Sequence, residues 1–451
     1  MKVLGITAEY NPFHNGHAYH IREAKARTGC DSVIALMSGD FVQRGTPAAV
    51  SKYVRAEAAL RFGADIVIEL PVFSSTASAE RFAEGAVRAF KDLGVDAVSY
   101  GVECDADRTV DGTAKRPVTF DRAGTGFTAS ASDETETRLS ATAASVRRAA
   151  AFFAEESDAY RAILKEKLAA GMSFPAARQE AYCALNGGSS AFLSTPNNIL
   201  AIEYEKAKIR LGADFESVPV ARIGSGYHDT GAGEYASATA IRKLLEEQTG
   251  NPSFGDSGGL NGASPLAVTF PAELNGLYAD AFRHPVFPDD LSSALFSALH
   301  GRSWQKLSQY YDVSEDTAKR LSDAAKHPFT WTSLSEALHE RSHTQSHVNR
   351  ALCHILLGIT KEAENRYRLS AHTPYLHVLG IRKGAEALLG QLASSSPVPL
   401  LVRLTKDMRA LPAEARELFE TDLHATALYS QILYGKGAET AEERLRKFLT
   451  V

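Results

Sequence analysis

Cysteine is scarce: the 451 residues include 4, Cys30, Cys104, Cys183 and Cys353, widely separated and with no Cys-x-x-Cys pair. That excludes a disulfide framework or a thiolate zinc site and leaves the four as small core residues. Long apolar runs are missing too. No stretch reaches the roughly 18–20 residues that span a bilayer. The opening Met-Lys-Val-Leu-Gly-Ile-Thr-Ala-Glu-Tyr places an acid where a secretory signal would continue apolar. The start therefore reads as a first strand, and the protein as soluble and cytoplasmic, with no membrane partner. A large excess of one charge is also absent, since Lys plus Arg is 49 against 54 for Asp plus Glu, a formal charge of −5. This rules out a strongly basic coat protein, while a local basic face could still bind nucleic acid; DNA is not an expected partner. Neither a Gly-Lys-Ser/Thr phosphate loop nor a dinucleotide glycine fingerprint occurs.

What is present is the composition of a globular protein, 44% apolar and 23% charged, with a length that suggests two or three domains. Short apolar runs at Val3–Ala8, Ser32–Met37, Asp65–Leu70 and Asp96–Tyr100 read as buried strands. Between them His17–Thr28, Ser51–Phe62 and Ala79–Leu93 carry apolar residues at helical spacing. Strand–helix–strand repetition with short links implies an α/β fold with a Rossmann-like parallel sheet and right-handed crossovers. Residues 104–138 break this rhythm with Asp, Thr, Gly, Ala and Ser and read as a surface insertion. Helical patterns resume from Ser140 to about Asn186, Thr195-Pro196 opens another helix with Ser194 or Thr195 as cap, and Phe215–Ile223 is a further strand. A first domain over 1–248, a flexible linker over 249–270 (most biased at 249–266) and an α-helical domain over 271–451 follow from these shifts.

The segment Glu9-Tyr10-Asn11-Pro12-Phe13-His14-Asn15-Gly16-His17 falls between the first strand and the first helix. In a parallel sheet ligands bind at the carboxyl ends of the strands, where helix N-termini attract anions. Pro12 and Gly16 shape the turn, Gly16 lets a ligand approach the backbone, and His14 and His17 can converge on one phosphate. A structural turn with two satisfied histidines is the plainer alternative. A zinc site from His14, His17 and His20 has the spacing but no supporting carboxylate or cysteine. Position, glycine and histidines together favour the phosphate site.

His-x-Gly-His after a first strand resembles the nucleotidyltransferase superfamily, which includes class I aminoacyl-tRNA synthetases and small adenylyltransferases. More narrowly, Glu9–His20 resembles the bacterial tRNA(Met) cytidine acetate ligase family when taken with Ser38-Gly39-Asp40-Phe41-Val42-Gln43-Arg44-Gly45, Ser51-Lys52, Ile68-Glu69-Leu70-Pro71, Pro196-Asn197-Asn198-Ile199-Leu200 and Gly226-Tyr227-His228-Asp229. Tyr375-Leu376-His377-Val378-Leu379-Gly380 fits as well, and the set in this order is highly specific. Residues 104–138 and 249–266 look like insertions relative to the family pattern.

The resemblance implies N4-acetylation of the wobble cytidine of elongator tRNA(Met) from ATP and acetate through acetyl-adenylate. It makes residues 1–248 the nucleotidyltransferase domain and 271–451 the tRNA-binding one. ATP is the implied substrate, Mg²⁺ accompanies it, and no tightly bound cofactor or dedicated metal site is expected. The implied ATP site comprises Thr7, Ala8, Glu9, Tyr10, Asn11, Pro12, Phe13, His14, Asn15, Gly16, His17, Ala18, Tyr19 and His20, completed by Gly101, by Asn197 or Asn198, and by Arg222. His14 and His17 are the expected catalytic pair, stabilising the α-phosphate.

Ser237, Thr239 and Arg242 open a late helix, and their hydroxyls, helix start and guanidinium suit the β- and γ-phosphates; an ordinary capped helix is the alternative. Arg44 and Lys52 follow the second strand and are expected to touch RNA or the adenylate, against the ordinary fate of solvated charges. Two decoys are rejected. Gly255-Asp256-Ser257-Gly258-Gly259 matches a serine-protease nucleophile signature but sits in the biased linker, and His343 and His347 are four apart with Thr344 where a zinc protease carries glutamate. Eight of the 14 histidines lie between 300 and 383, among Lys319, Arg320, Lys326, Arg341, Arg350, Lys361, Arg366, Arg368, Arg382 and Lys383, with Trp331, Tyr367 and Tyr375 nearby. This region is either a tRNA-facing surface or a solvated helical face. Two other functions fit parts of the pattern: a small-molecule adenylyltransferase, or a non-catalytic RNA-binding protein on the same fold.

Overall fold

Each strand of the first half is a short apolar run that must cover both of its faces, and the helices between them supply that cover. The computed structural model describes residues 1–104, 129–187, 191–223, 233–249, 260, 264–339 and 344–451. In chain order β1 (Val3–Ala8) leads to α1 (Asn15–Thr28), β2 (Ser32–Ser38), a hairpin of β3 (Phe41–Val42) and β4 (Thr46–Pro47), and α2 (Lys52–Arg61). β5 (Ile66–Leu70), the single turn α3 (Val72–Ser75), α4 (Ala79–Leu93) and β6 (Ala97–Val102) follow. Four helices, α5 (Ala129–Ala154), α6 (Asp158–Ala169), α7 (Phe174–Asn186) and α8 (Pro196–Leu211), precede β7 (Glu216–Ala221) and α9 (Ala238–Gln248).

β5, β2, β1, β6 and β7 lie side by side in that order and all run parallel. Side chains alternate across the sheet. Leu4, Ile6, Val33, Ala35, Met37 and Val67 pack with α1, α2 and α9, whereas Ile34, Leu36, Ile66, Ile68 and Leu70 pack with α4, α5 and α8. Because β1 links through α1 to β2 on one side while β6 flanks it on the other, the sheet order reverses at β1, and a crevice opens there beyond the strand ends.

The second half is largely helical, with a core that includes Leu291, Leu295, Leu321, Trp331, Leu352 and Phe419 and takes in Phe41, Val72 and Phe73 from the first half. It also departs from expectation, because three short strands return to the central sheet. β8 (Leu376–Ile381) pairs antiparallel with β5, and β9 (Leu400–Leu401) and β10 (Leu449–Thr450) pair with β8. β8 has no polar alternation because both of its faces are buried, so its six residues cannot be told from a turn of buried helix by periodicity. The expected insertion at 104–138 is likewise revised at its end. Residues 129–138 begin α5, and they look loop-like because the apolar seam of that helix starts only at Leu139. Among the described residues no helix is long and apolar enough to cross a membrane.

A chain ended at Gln248 would lose β8 and bare the edge of β5 together with its apolar neighbours. Such a chain is expected to aggregate; a monomeric product with a single cooperative melt in calorimetry would contradict the shared sheet.

Candidate active site

Beyond the ends of β1, β6 and β7 lies a cavity of about 940 Å³. Its wall takes Thr7–Asn11 from the end of β1, His14, Gly16, His17, Tyr19 and His20 from α1, and Gly101 from β6. Asn197 of α8, Arg222 after β7, and Ser237, Thr239 and Arg242 at the start of α9 complete that side.

His14 is the N-cap of α1. Its Nδ1 accepts from the Gly16 N–H at 3.1 Å, and its own N–H donates to Nδ1 of His17 at 3.2 Å. With both Nδ1 atoms accepting, the proton of each neutral imidazole sits on Nε2. The two rings lie 3.8 Å apart, and Tyr10 packs on His17 at 4.8 Å. Gly16 is needed for this contact, since a Cβ there would stand 2.9 Å from Cε1 of His14. Burial pushes His14 down to about 3, helped by Arg222 and Arg242. It pushes His17 well below the usual histidine range, with His14, Arg222 and His20 adding to it. His20, bonded to Ser99 Oγ at 2.8 Å, is lowered to about 4 by burial and Arg222. The site thus offers neutral N–H donors, side by side and fixed in tautomer.

Two guanidiniums flank them. Arg222 donates to Asn197 Oδ1 at 3.1 Å, and Asn197 in turn donates to the Glu103 carboxylate. Arg242 donates to the Asn11 carbonyl at 2.7 Å and to Thr239 Oγ1 at 3.2 Å. Burial lowers both guanidinium pKa values, although Glu103 near Arg222 and Glu9 near Arg242 pull the other way. Ser237 caps α9, its Oγ accepting from Ala240 N–H at 3.1 Å, so its hydroxyl proton remains available to a ligand. Neutral donors around a reacting centre, cations beyond it and two helix N-termini make an anion site suited to a polyphosphate.

The HIGH Nucleotidyl Transferase family matches this chain over residues 1–140 and 137–444. The tRNA(Met) cytidine acetate ligase of Acetivibrio thermocellus is 33% identical over 437 residues, covering 95% of this chain and 94% of the relative. The protein of the same name from Bacillus licheniformis is 34% identical over 408 residues, 89% of this chain and 87% of its own. This chain belongs to the tRNA(Met) cytidine acetate ligase family. The apo crystal structure of Thermotoga maritima TmcAL superposes with a TM-score of 0.82 at 26% identity over 100% of both chains. The same protein bound with alpha-thio ATP gives 0.80 at 25%, again over 100% of both. The family resemblance read from the motifs is borne out, as are the α/β class and the mostly parallel sheet.

Within this ligase-family fold the expected residues divide. Those named above as lining the cavity sit together, and half-buried Arg44 joins them on the wall. Phe13 is fully buried with its carbonyl accepting from Tyr278 Oη, and Asn15 Nδ2 holds the carbonyls of Glu234 and Val268; with Pro12 and Ala18 they stand behind the wall and shape it. Of the two asparagines Asn197 faces the cavity, whereas Asn198 is buried beneath it, clamping the backbone of Glu103 through both side-chain atoms.

Lys52 is a correction. It is 1% exposed, and its ammonium lies 2.8 Å from Glu69 Oε2 and 2.8 Å from Glu443 Oε1, so it cannot reach RNA or an adenylate. The aromatics of the expected tRNA surface are corrected likewise, since Trp331, Tyr367 and Tyr375 are core residues. The Gly226–Asp229 turn, the protease-like signature around Ser257, and His343 lie outside the described residues.

Sequence reasoning missed Arg55 and Arg178, and gave Arg350 and His347 other roles. Arg55 is fully buried and binds the carbonyls of Glu9, Ser38, Gly39 and Val50, tying the ends of β1 and β2 together. Arg178 of α7 lies over the Phe153 ring at 3.9 Å and pairs with Glu203. The helix Gln345–Leu357 sends Ser346, His347 and Arg350 into the same cavity. It is held against the β3–β4 hairpin at Gly45, whose φ of +72° and close approach to the Arg350 backbone leave no room for a Cβ.

Proposed function

We propose that this chain is an ATP-dependent ligase that activates acetate as acetyl-adenylate, releasing pyrophosphate, and transfers the acetyl group to N4 of the wobble cytidine of elongator tRNA(Met). The observation that carries the reading is the pair of neutral Nε2–H donors at the end of β1, with Arg222 and Arg242 beside them in one cavity.

In the first step a carboxylate oxygen of acetate bonds to the α-phosphorus while the bond to the bridging oxygen breaks. Pyrophosphate leaves with that electron pair. Negative charge gathers on the oxygens around phosphorus, where His14 and His17 can donate. Arg242, Thr239 and Ser237 suit the departing β- and γ-phosphates. In the second step the amine attacks the acyl carbon, AMP leaves with the bonding pair, and the amine gives up a proton. Mg²⁺ would arrive on the nucleotide as Mg-ATP. The one described cluster with metal-like geometry, Glu69, His377 and Glu443, already encloses the Lys52 ammonium. We place the protein in the cytoplasm and assign tRNA binding to the surface built by residues 271–451.

Labelled ATP and acetate should yield acetyl-adenylate without RNA, and AMP with N4-acetylcytidine once unmodified elongator tRNA(Met) is added. AMP formation that ignores acetate would sink the ligase reading. Affinity for tRNA should fall steadily as salt rises, because phosphate contacts release counterions; filter binding indifferent to salt would remove tRNA from the assignment.

A further inference from the structure

One stretch of the cavity wall is not used by the phosphate chemistry set out above. Phe174, the first residue of α7, is 51% exposed, and Leu168 at the end of α6 is 39% exposed; both line the cavity, as does Met172 between them. The other aromatic wall residues differ. Tyr10, Phe82, Tyr100, Phe153 and Tyr204 are buried, and Tyr19 and Tyr235 are half-buried. Among the described residues, then, Phe174 is the one aromatic ring of this wall that stands open to water. Arg178, one helical turn further along the same face of α7, is fixed over Phe153 and against Glu203, so the platform has a rigid, cationic neighbour.

The acyl-transfer step demands something of this region. The attacking amine must come within about 3–3.5 Å of the acyl carbon. A base in a stacked loop cannot do so without leaving its neighbours, and an aromatic side chain at the rim replaces the lost stacking. We propose that Phe174, with Leu168 and Met172 beside it, is the stacking platform for a pyrimidine base of a single-stranded RNA loop entering the cavity. This rests on the ligase reading above.

The test uses the full chain, an unmodified elongator tRNA(Met) transcript, and the variants Phe174→Ala and Phe174→Trp. Acetate-dependent pyrophosphate exchange is read without RNA, and initial acetylation rates are read against tRNA concentration. Because Phe174 contributes little to the core, Phe174→Ala should melt and exchange like the parent but need about tenfold more tRNA for half-maximal rate, with Phe174→Trp close to the parent. Loss of exchange in Phe174→Ala would make the ring an adenine contact, and unchanged tRNA dependence would leave it without a role. Failure of Phe174→Trp to restore binding would exclude stacking. Each of these overturns the proposal alone. A parent chain that neither exchanges nor acetylates would instead overturn the ligase reading beneath it.

Discussion

His17→Ala should lower acetate-dependent pyrophosphate exchange by on the order of 100–1000-fold, about 3–4 kcal/mol of lost transition-state stabilisation, while ATP still binds with modest weakening. The imidazole is neutral, carries its proton on Nε2 and is held by the His14 backbone and the Tyr10 ring, so it can meet charge that grows on the α-phosphate without moving. A donor that matters more in the transition state than in bound ATP acts mainly on turnover. Chemically made acetyl-adenylate should restore part of the tRNA acetylation, since that step no longer attacks phosphorus. A variant that exchanges pyrophosphate near the parent rate would show that His17 has no such role. The same burial predicts acid sensitivity. His14 at about 3 and His20 at about 4 lie below the 6.5 of an ordinary histidine. The unfolded chain therefore takes up protons first, and the stability these groups contribute is full above about pH 6.5 and lost as pH falls toward 4 for His20 and 3 for His14. Urea midpoints of the unliganded chain, measured downward from pH 7, should fall over that interval.

The strands of the first half were legible because each is a short, mostly apolar run bounded by turn residues, and their parallel pairing follows once helices separate them. The start of α1 was less so. Histidine is an uncommon cap, and only its bond to Gly16 N–H and its reciprocal bond with His17 move the helix start back to Asn15. The phosphate side of the cavity could be read from two short segments, residues 7–20 and the helix start at residues 237–242. The rest could not: Arg55 and Arg178 were passed over and Arg350 was read as a candidate tRNA-facing cation, because they come from three distant helices and an arginine in a helix looks the same whether it lies in water or under a loop. β8 is as buried as β2 and β5 and has no alternation either, but it stands among helical patterns without the strand–helix repetition that marks those two.

Lys52→Met should cost about 3–5 kcal/mol of folding stability, the usual price of breaking a buried ion pair from one side. The side chain donates to both oxygens of Glu69 and to Thr426 Oγ1, and it also meets Glu443, which accepts from Tyr53 Oη at 2.7 Å. His377 Nδ1 lies 2.8 Å from the same Glu69 carboxylate. One ammonium thus joins α2, β5, the C-terminal helix Ala413–Gly435 and Glu443, with β8 tied in through His377 on Glu69, and without it two carboxylates remain in a dry pocket. The pH dependence has a definite sign. Despite burial, Lys52 and His377 bring Glu69 down to about 2, against 4.5 for a free glutamate. In the parent its contribution is therefore present above about pH 4.5 and lost as pH falls toward 2. In the variant the lysine's pull is gone and burial drives the same carboxyl upward, so it protonates sooner and the charge left buried disappears in acid. The stability gap between parent and variant should be widest at pH 8 and narrow at pH 5 in urea titrations. Adding Glu443→Gln should recover part of the loss, because it removes one of the stranded charges. A Lys52→Met chain as stable as its parent but deficient in tRNA binding would reverse the assignment and return this lysine to the surface role its position beside Ser51 suggests.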